Sequence, residues 1–414
     1  MHIQIITAGT FGSVAPYTGL GHRLRAEGHE VEVVTHAGFG DAVTCCGMGI
    51  RGLSADPFDR WLRTHLRARR APRSPGAAYA LARATQRAAV ALVDGIVTAV
   101  HDKTELLLLS ALTAPIGAVV AEYHGIPSMG VFLRPEEPTA AFPPYALHRG
   151  PCGPANRLAG RVVNTVWDGL YAAANRRLHA LLGLPRRGTR ALRRTRSRTR
   201  WPVWHGYSPS VVPRPPDWHP GLRVAGYWWP HECPRWRPDP LLVDFLQAGP
   251  APVFVGFGSV LPRDPEEVSR TAATALRRAG MRGVVQQGRA GLRVVNDDVL
   301  TVGDVPHHWL FPQMAALVHH AGAGTTGAGL RAGVPVVPVP VLADQPWWAS
   351  RLVRLGVGPD VLPYPRFSAP RLVSLVSRAV NDPAHQRRAR AVATLLAGED
   401  GAGEVARAVA SLAR

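Results

Sequence analysis

Strand signals start twice in this chain of 414 residues, and each series alternates with helix-length segments. Parallel strands need a crossover of a dozen or more residues, usually a helix, so a chain written this way builds parallel sheets covered on both faces. The first series opens with the apolar strand Ile3 to Thr7, turns through Gly9-Thr10-Phe11-Gly12-Ser13, and enters a helix with Pro16 in its first turn. Gly28 ends that helix, and Val31 to Thr35 is the next strand. Leu106 to Leu109, fully apolar, and Ile126 to Val131 join the same sheet. The second series starts with Pro252 to Phe257, passes Gly258-Ser259, and begins a helix with Asp264 as cap and Pro265 at its first position. Gly283 to Gln287, Val299 to Val302, Ala316 to His319 and Pro335 to Val339 supply its further strands.

Two such series predict two doubly wound, Rossmann-like α/β domains. Between Pro202 and Gly249 the texture changes, with Pro213, Pro215, Pro216, Pro220 and Pro230 recurring among tryptophans. The expected organisation is a first domain over 1–212, a connection over 213–250, a second domain over 251–395, and a last helix within 396–414 that packs back on the first domain. Open α/β sheets bind ligands outside the carboxyl ends of their strands, so the turns that close the strands, facing a cleft, should carry function. Segments Asp56 to Ala82 and Phe142 to Asn156 read as irregular loops suited to contacting a substrate.

With 46% hydrophobic and 19% charged residues, the composition excludes a disordered, collagen-like or membrane chain. The longest charge-free apolar stretch, Leu106 to Ala121, is short for a bilayer and is broken by Pro115, so no membrane span is expected. The N-terminus lacks a basic region followed by a long apolar one, and the four cysteines include no C-x-x-C pair. A cytoplasmic, reducing home is expected. Formal net charge is +19, almost all from Arg, since Lys103 is the only lysine. The densest run, Arg186 to Arg200, has no aromatic interleaving before Trp201. It reads as a solvated surface segment, with attraction for phosphate or an acidic acceptor as the other reading, and no nucleic-acid partner is expected.

The most informative stretch is His319-His320-Ala321-Gly322-Ala323-Gly324-Thr325-Thr326, preceded by Val305-Pro306-His307-His308 and followed by Asp344-Gln345-Pro346. A strand ends at His320 and glycines open a turn into a helix. Small residues let backbone approach a ligand, and the free N–H groups near Gly324 to Thr326 suit a phosphate. No nucleoside-triphosphate P-loop pattern is present, and Gly9 to Gly12 does not supply the dinucleotide fingerprint of a dehydrogenase. His307 and His308 read as polar loop residues, Trp347 and Trp348 as packing, Asp297-Asp298 as a solvated turn, and Asp344 on its own could be a helix cap.

At these residues the chain resembles the family 1 type glycosyltransferases of GT-B fold, in the branch of sterol glucosyltransferase-like and actinobacterial natural-product enzymes. The block from His319 to Thr326 is similar to that family's donor motif, with Ala321 where the family has a glycine. Val212-Pro213-Arg214-Pro215-Pro216-Asp217-Trp218 and Gly256-Phe257-Gly258-Ser259 are similar to its interdomain and second-domain openings. The resemblance implies that His320, Gly322, Gly324 and Thr325 hold the diphosphate of a UDP- or dTDP-linked sugar, helped by Gly12 and Ser259. It also implies that Val305 contacts the base, and that Asp344 and Gln345 bind sugar hydroxyls. The implied reaction is inverting and needs no metal or other cofactor, because a helix N-terminus and a histidine stabilise the departing diphosphate. The acceptor is expected to be a small, lipophilic natural product; the oligomeric state is left open.

One departure matters. The family places a catalytic Asp or His in the turn after the first strand, and here that place is held by Ser13. A serine hydroxyl is too weakly basic to take a proton at neutral pH. Three accounts stand open: an acceptor needing little help, with Ser13 only positioning it; another base, Asp344 first and then His22 or His36; or a protein that binds a nucleotide sugar without transferring it. A basic nucleic-acid binder is the reading from a different class.

Overall fold

The computed structural model describes residues 1–53, 75–147, 153–233, 235–262, 264–294 and 296–412. They fall into two compact units. One gathers the described parts of Met1–Leu62, Pro72–Pro234 and Glu399–Arg414, and the other is formed from Arg235–Gly398.

The first unit is built on seven parallel strands: β1 (His2–Ile6), β2 (Glu30–His36), β3 (Gly49–Leu53), β4 (Leu106–Leu109), β5 (Ser128–Phe132), β6 (Val203–His205) and β7 (Leu222–Val224). Their order across the sheet is β3-β2-β1-β4-β5-β6-β7. Ile3 lies beside Val31 and Leu106, which fixes the register at the centre. Because side chains alternate along a strand, Ile3, Ile5, Val31, Val33, Leu106 and Leu108 share one face and form a core with Tyr17, Leu20 and Leu24 of helix α1 (Ala15–Ala26). The other face is covered by α2 (Pro75–Ala99), α3 (Ala114–His124), α4 (Pro154–Leu181) and α5 (Thr189–Arg198), which is why β4 is apolar at every position.

The second unit has five parallel strands, β8 (Val253–Gly256), β9 (Gly283–Gln286), β10 (Val299–Val302), β11 (Ala316–His319) and β12 (Val336–Pro338), in the order β10-β9-β8-β11-β12. Val253, Val255, Val285 and Val318 pack with Val268, Ala272 and Leu276 of α6 (Pro265–Arg278). Asp264 Oδ1 accepts the Glu267 N–H at 2.8 Å and so caps that helix. Helices α7 (Ala323–Ala332), α8 (Gln345–Arg354) and α9 (Ala369–Asn381) follow.

The stretch 213–250, expected as one interdomain connection, divides instead. Leu222–Val224 is β7 of the first sheet, Tyr227 and Trp228 are buried in that unit, and Pro240–Gln247 is a helix of the second. Its prolines flank a three-residue strand at the sheet's edge, where a missing N–H costs no ladder bond. Trp228 Nε1 donates to the Gly401 carbonyl at 3.2 Å, at the start of the last helix, α10 (Gly401–Leu412). Val405, Ala406 and Val409 of α10 belong to the core of the first unit. The expected loop from Asp56 to Ala82 is corrected in part: 56–74 lies outside the described residues, but from Pro75 the chain is helical. Of Phe142 to Asn156, 148–152 lies outside the described residues, Tyr145–Leu147 is a single 3₁₀ turn, and helix begins at Pro154. No helix among the described residues is long and apolar enough to cross a membrane.

Candidate functional site

Both sheets reverse their winding at a central pair. The chain leaves β1 toward β2 but leaves β4 toward β5, and likewise leaves β8 toward β9 but β11 toward β12. At such a point the two loops diverge and open a crevice at the carboxyl ends of the strands. In the second unit those loops are Phe257–Ser259 and His320–Gly322.

His320 is held by its glycine neighbours. A Cβ on Gly258 would lie 2.7 Å from its Cε1, and one on Gly322 would lie 2.5 Å from its Nε2, so any larger residue at either place displaces the ring. Gly258 also has φ +55, a left-handed conformation that favours glycine. Ala321 has φ +59, the turn that aims the chain from β11 into α7. The Nδ1 of His320 is buried with no hydrogen-bond partner among the described residues. Burial pulls its pKa down to about 4, against the raising pull of Asp344, so the imidazole is neutral at pH 7 and has one N–H to give.

Beside it, α7 starts bare. Gly322 caps it with no side-chain hydrogen bond, and Thr326 is the first residue whose N–H turns back, to the Gly322 carbonyl at 2.8 Å. The amides of Ala323, Gly324 and Thr325 therefore have no intrahelical acceptor, and Gly324 is exposed. Unclaimed N–H groups, the positive end of the helix dipole and a neutral imidazole donor form a site for an anion. Ser259 is half-buried next to Gly258. Val305 follows β10 at the same carboxyl edge, two strands from β8.

Asp344 enters the same electrostatic neighbourhood, since its charge acts on His320. It heads α8 without a capping hydrogen bond; instead its Oδ2 accepts Trp348 Nε1–H at 2.9 Å. Ala343, just before it, has φ +56, so both His320 and Asp344 adjoin a strained alanine. Gln345 is committed largely to its own loop: its Oε1 accepts the N–H groups of Val341 and Leu342 at 2.9 and 3.0 Å. His307 and His308 are not loop residues but open the short helix His307–Leu310. His307 stacks on Phe311 at 4.2 Å, and burial takes its pKa down to about 4. The sequence reading missed the orienting roles of Trp348 and Gly258; the spacing of four between Asp344 and Trp348 on a helix was the available signal.

In the first unit, Ser13 closes the 3₁₀ turn Phe11–Ser13 after β1, where Thr7 Oγ1 donates to its carbonyl at 2.9 Å. Gly12 is exposed and Ser13 half-buried. His36 ends β2 on the same edge, and Phe39 beside it meets Phe11 at 6.2 Å. His22 lies nine residues farther along, about 13 Å by helical rise, and stacks on His231 at 3.8 Å; it is not at the Ser13 turn. Asp297 and Asp298 are exposed in the turn before β10.

Known proteins match this arrangement. Residues 3–143 match the glycosyltransferase family 28 N-terminal domain, and residues 282–412 match the C-terminal domain of erythromycin biosynthesis protein CIII-like proteins. The O-mycaminosyltylonolide 6-deoxyallosyltransferase of Streptomyces fradiae is 34% identical over 97% of this chain and 95% of its own length. A sterol 3-beta-glucosyltransferase of Arabidopsis thaliana is 32% identical over 97% of this chain, which spans 64% of that relative's length. Among solved structures, a glycosyltransferase of kitacinnamycin superposes with TM-score 0.71 at 21% identity, covering 99% of this chain and 98% of that one. The Streptomyces glycosyltransferase SsfS6, solved with thymidine diphosphate, superposes at TM-score 0.64 and 21% identity, covering 99% of both chains. These two likenesses establish the fold, two parallel-sheet Rossmann-like units of GT-B type.

The chain belongs to the glycosyltransferases of GT-B fold. Within them its relatives are the sterol 3-beta-glucosyltransferases and the actinobacterial natural-product enzymes.

Proposed function

We propose that the protein transfers a sugar from a UDP- or dTDP-linked donor to a small natural-product acceptor, with inversion at the anomeric carbon and without a metal ion. The observation that carries this reading is the orphaned Nδ1 of His320 beside the uncapped start of α7. In the step, the acceptor oxygen bonds to the anomeric carbon while the bond from that carbon to the β-phosphate oxygen breaks. Its electron pair leaves with the nucleoside diphosphate, and His320 together with the amides of Gly324 and Thr325 takes up the growing charge. The hydroxyl proton passes to a carboxylate, for which Asp344 is the candidate, its Oδ2 already held by Trp348. Ser13 positions the acceptor. Ser259 supports the diphosphate, Val305 the base, and the Gln345 amide a sugar hydroxyl. The thymidine diphosphate in SsfS6 and the deoxyhexose transfer in the Streptomyces fradiae relative's name support a dTDP donor.

Calorimetry with thymidine and uridine diphosphates tests this. One of them is expected to bind the folded protein, His320→Ala to weaken it at least tenfold, about 1.4 kcal/mol, and EDTA to leave turnover unchanged. Absence of binding by both would overturn the reading. Ser13 in place of an acid favours one second reading, a nucleotide-sugar-binding protein that does not transfer; it predicts binding with no donor consumed against any acceptor.

A further inference from the structure

A cavity of about 300 Å³ opens inside the first unit, between the ends of β4 and β5 and the helices α4 and α5. Leu112, on its wall, also approaches the Ser13 turn: a Cβ on Gly9 would lie 3.6 Å from Leu112 Cδ1 and 3.2 Å from Ser13 Oγ. The cavity therefore adjoins the switch point of this sheet.

Most charges on its wall are already neutralised. Arg193 grips Asp168 through both Nε and Nη2, the latter at 2.8 Å, and Arg134 Nε donates to Glu136 at 2.6 Å. Asp217 accepts from Thr139 Oγ1 at 2.6 Å and has Arg157 at 3.7 Å. Three charged side chains on the wall differ, and one of them, Arg161, is exposed. Among the described residues neither Glu137 nor Arg196, both half-buried, makes a side-chain hydrogen bond or an ion pair, although both line the same space. Arg196 only leans over Trp201, at 5.9 Å from the ring centre.

Opposite charges left apart in a crowded cavity are costly, because each loses water without gaining a partner. Burial raises the Glu137 carboxyl above its ordinary range despite the pull of Arg196 and Arg193, and lowers Arg196. Around them stand Phe132, Trp167, Tyr171, Trp201 and Trp218. Aromatic walls favour a flat ring system, a bare guanidinium favours a carboxylate, and a bare carboxyl favours a hydroxyl or N–H. About 300 Å³ lies at the small end of ligand pockets.

We propose that this cavity takes the acceptor, and that the acceptor is a compact aromatic carboxylic acid whose carboxylate pairs with Arg196 and whose hydroxyl bonds to Glu137. This rests on the sugar-transfer reading above and adds to it the acceptor's chemical class.

The test is fluorescence and calorimetric titration of the full chain with 3,7-dihydroxy-2-naphthoic acid, its methyl ester and unsubstituted 2-naphthoic acid, followed by a turnover assay with dTDP- and UDP-sugars. The dihydroxy acid is expected to bind at least tenfold more tightly than either control and to accept a sugar. Arg196→Ala should bring acid and ester to within about twofold of each other, and the near-isosteric Glu137→Gln should erase the preference for the hydroxylated acid over 2-naphthoic acid, with unchanged circular dichroism. Equal binding of acid and ester to the unaltered protein, or an undiminished preference in Arg196→Ala, overturns the proposal. Binding without glycosylation overturns the acceptor assignment. Thymidine and uridine diphosphate titrations on the same preparation separate the two levels: if either nucleotide binds and the acid does not, only this proposal falls; if neither nucleotide binds, the sugar-transfer reading falls with it.

Discussion

At the scale of single residues, Ala321 shows why a glycine position can hold alanine. Its φ of +59 costs a residue with a Cβ about 1–2 kcal/mol. Against that, glycine would give up about 0.4–1 kcal/mol through the greater freedom of the unfolded chain, and the buried methyl contributes about 0.8 kcal/mol. The terms nearly cancel. Ala321→Gly is therefore expected to change stability by less than about 1 kcal/mol in urea titration, whereas the β-branched Ala321→Val should cost more than about 2 kcal/mol, since a second Cγ has no room in a left-handed turn. Gly322 is a different case. Its φ is ordinary, yet a Cβ there would stand 2.5 Å from His320 Nε2. Gly322→Ala should fold with nearly unchanged stability while weakening nucleoside diphosphate binding about tenfold or more, measured by calorimetry, because the donor ring is pushed off its place. A variant that binds as tightly as the parent would show that the ring has slack the packing denies.

At the scale of elements, α10 joins the first unit by one face. Val409 is fully buried in that core, while Leu412, on the same helix, is 51% exposed. Val409→Ala should cost about 2 kcal/mol, the transfer of two carbons plus the cavity left behind, and Leu412→Ala less than about 0.5 kcal/mol. Urea midpoints of the two variants decide it; equal midpoints would mean that the helix is not docked. What the sequence made legible at this scale follows the same physics. Leu106–Leu109 announces a strand because it is apolar on both faces, and Asp264-Pro265 announces a helix start because each residue has a local job. Strands β6 and β7 stayed hidden because each is three residues long and carries His205 or Arg223, and β7 joins the sheet only through β6, whose own partner β5 lies some seventy positions away. The loop from His320 into α7 was legible as a motif, since its glycines lie within a few residues of one another. The wedging of His320 between Gly258 and Gly322 was not, nor was the placing of Glu137 and Arg196, distant in the chain, on the wall of one cavity. The arginine run is exposed at Arg186, Arg190, Arg194, Arg198 and Arg200, as a solvated segment should be, while Arg193 turns to Asp168 and Arg196 to a cavity wall.

At the scale of the whole molecule, buried histidines set the response to acid. His205 in the first unit, its Nδ1–H donating to the Arg223 carbonyl at 2.9 Å, is pulled down to about 4 by burial, as are His307 and His320 in the second, and His319 lies well below its ordinary value. All four are neutral in the folded chain at pH 7, and in the unfolded chain they take up protons near pH 6.5. Above that pH neither state is protonated and stability is level. As pH falls from about 6.5 toward 4 the unfolded state binds protons that the folded state refuses, and each histidine subtracts up to about 1.4 kcal/mol per pH unit. Melting temperature should therefore fall steeply between pH 6.5 and 4, before most carboxylates titrate, and His205→Gln should flatten the part of that loss that belongs to the first unit. A bound nucleoside diphosphate changes only one side of this balance. Its charge beside His320 offsets the burial that holds the proton away, so binding draws a proton in and should tighten as pH drops from 7 to 5.5. At a hundred times Kd the ligand adds about 2.7 kcal/mol to the unit that binds it. Calorimetric scans with thymidine diphosphate are expected to shift the acid melting of the second unit upward and leave that of the first where it was; a shift shared equally by both would place the nucleotide elsewhere than beside His320.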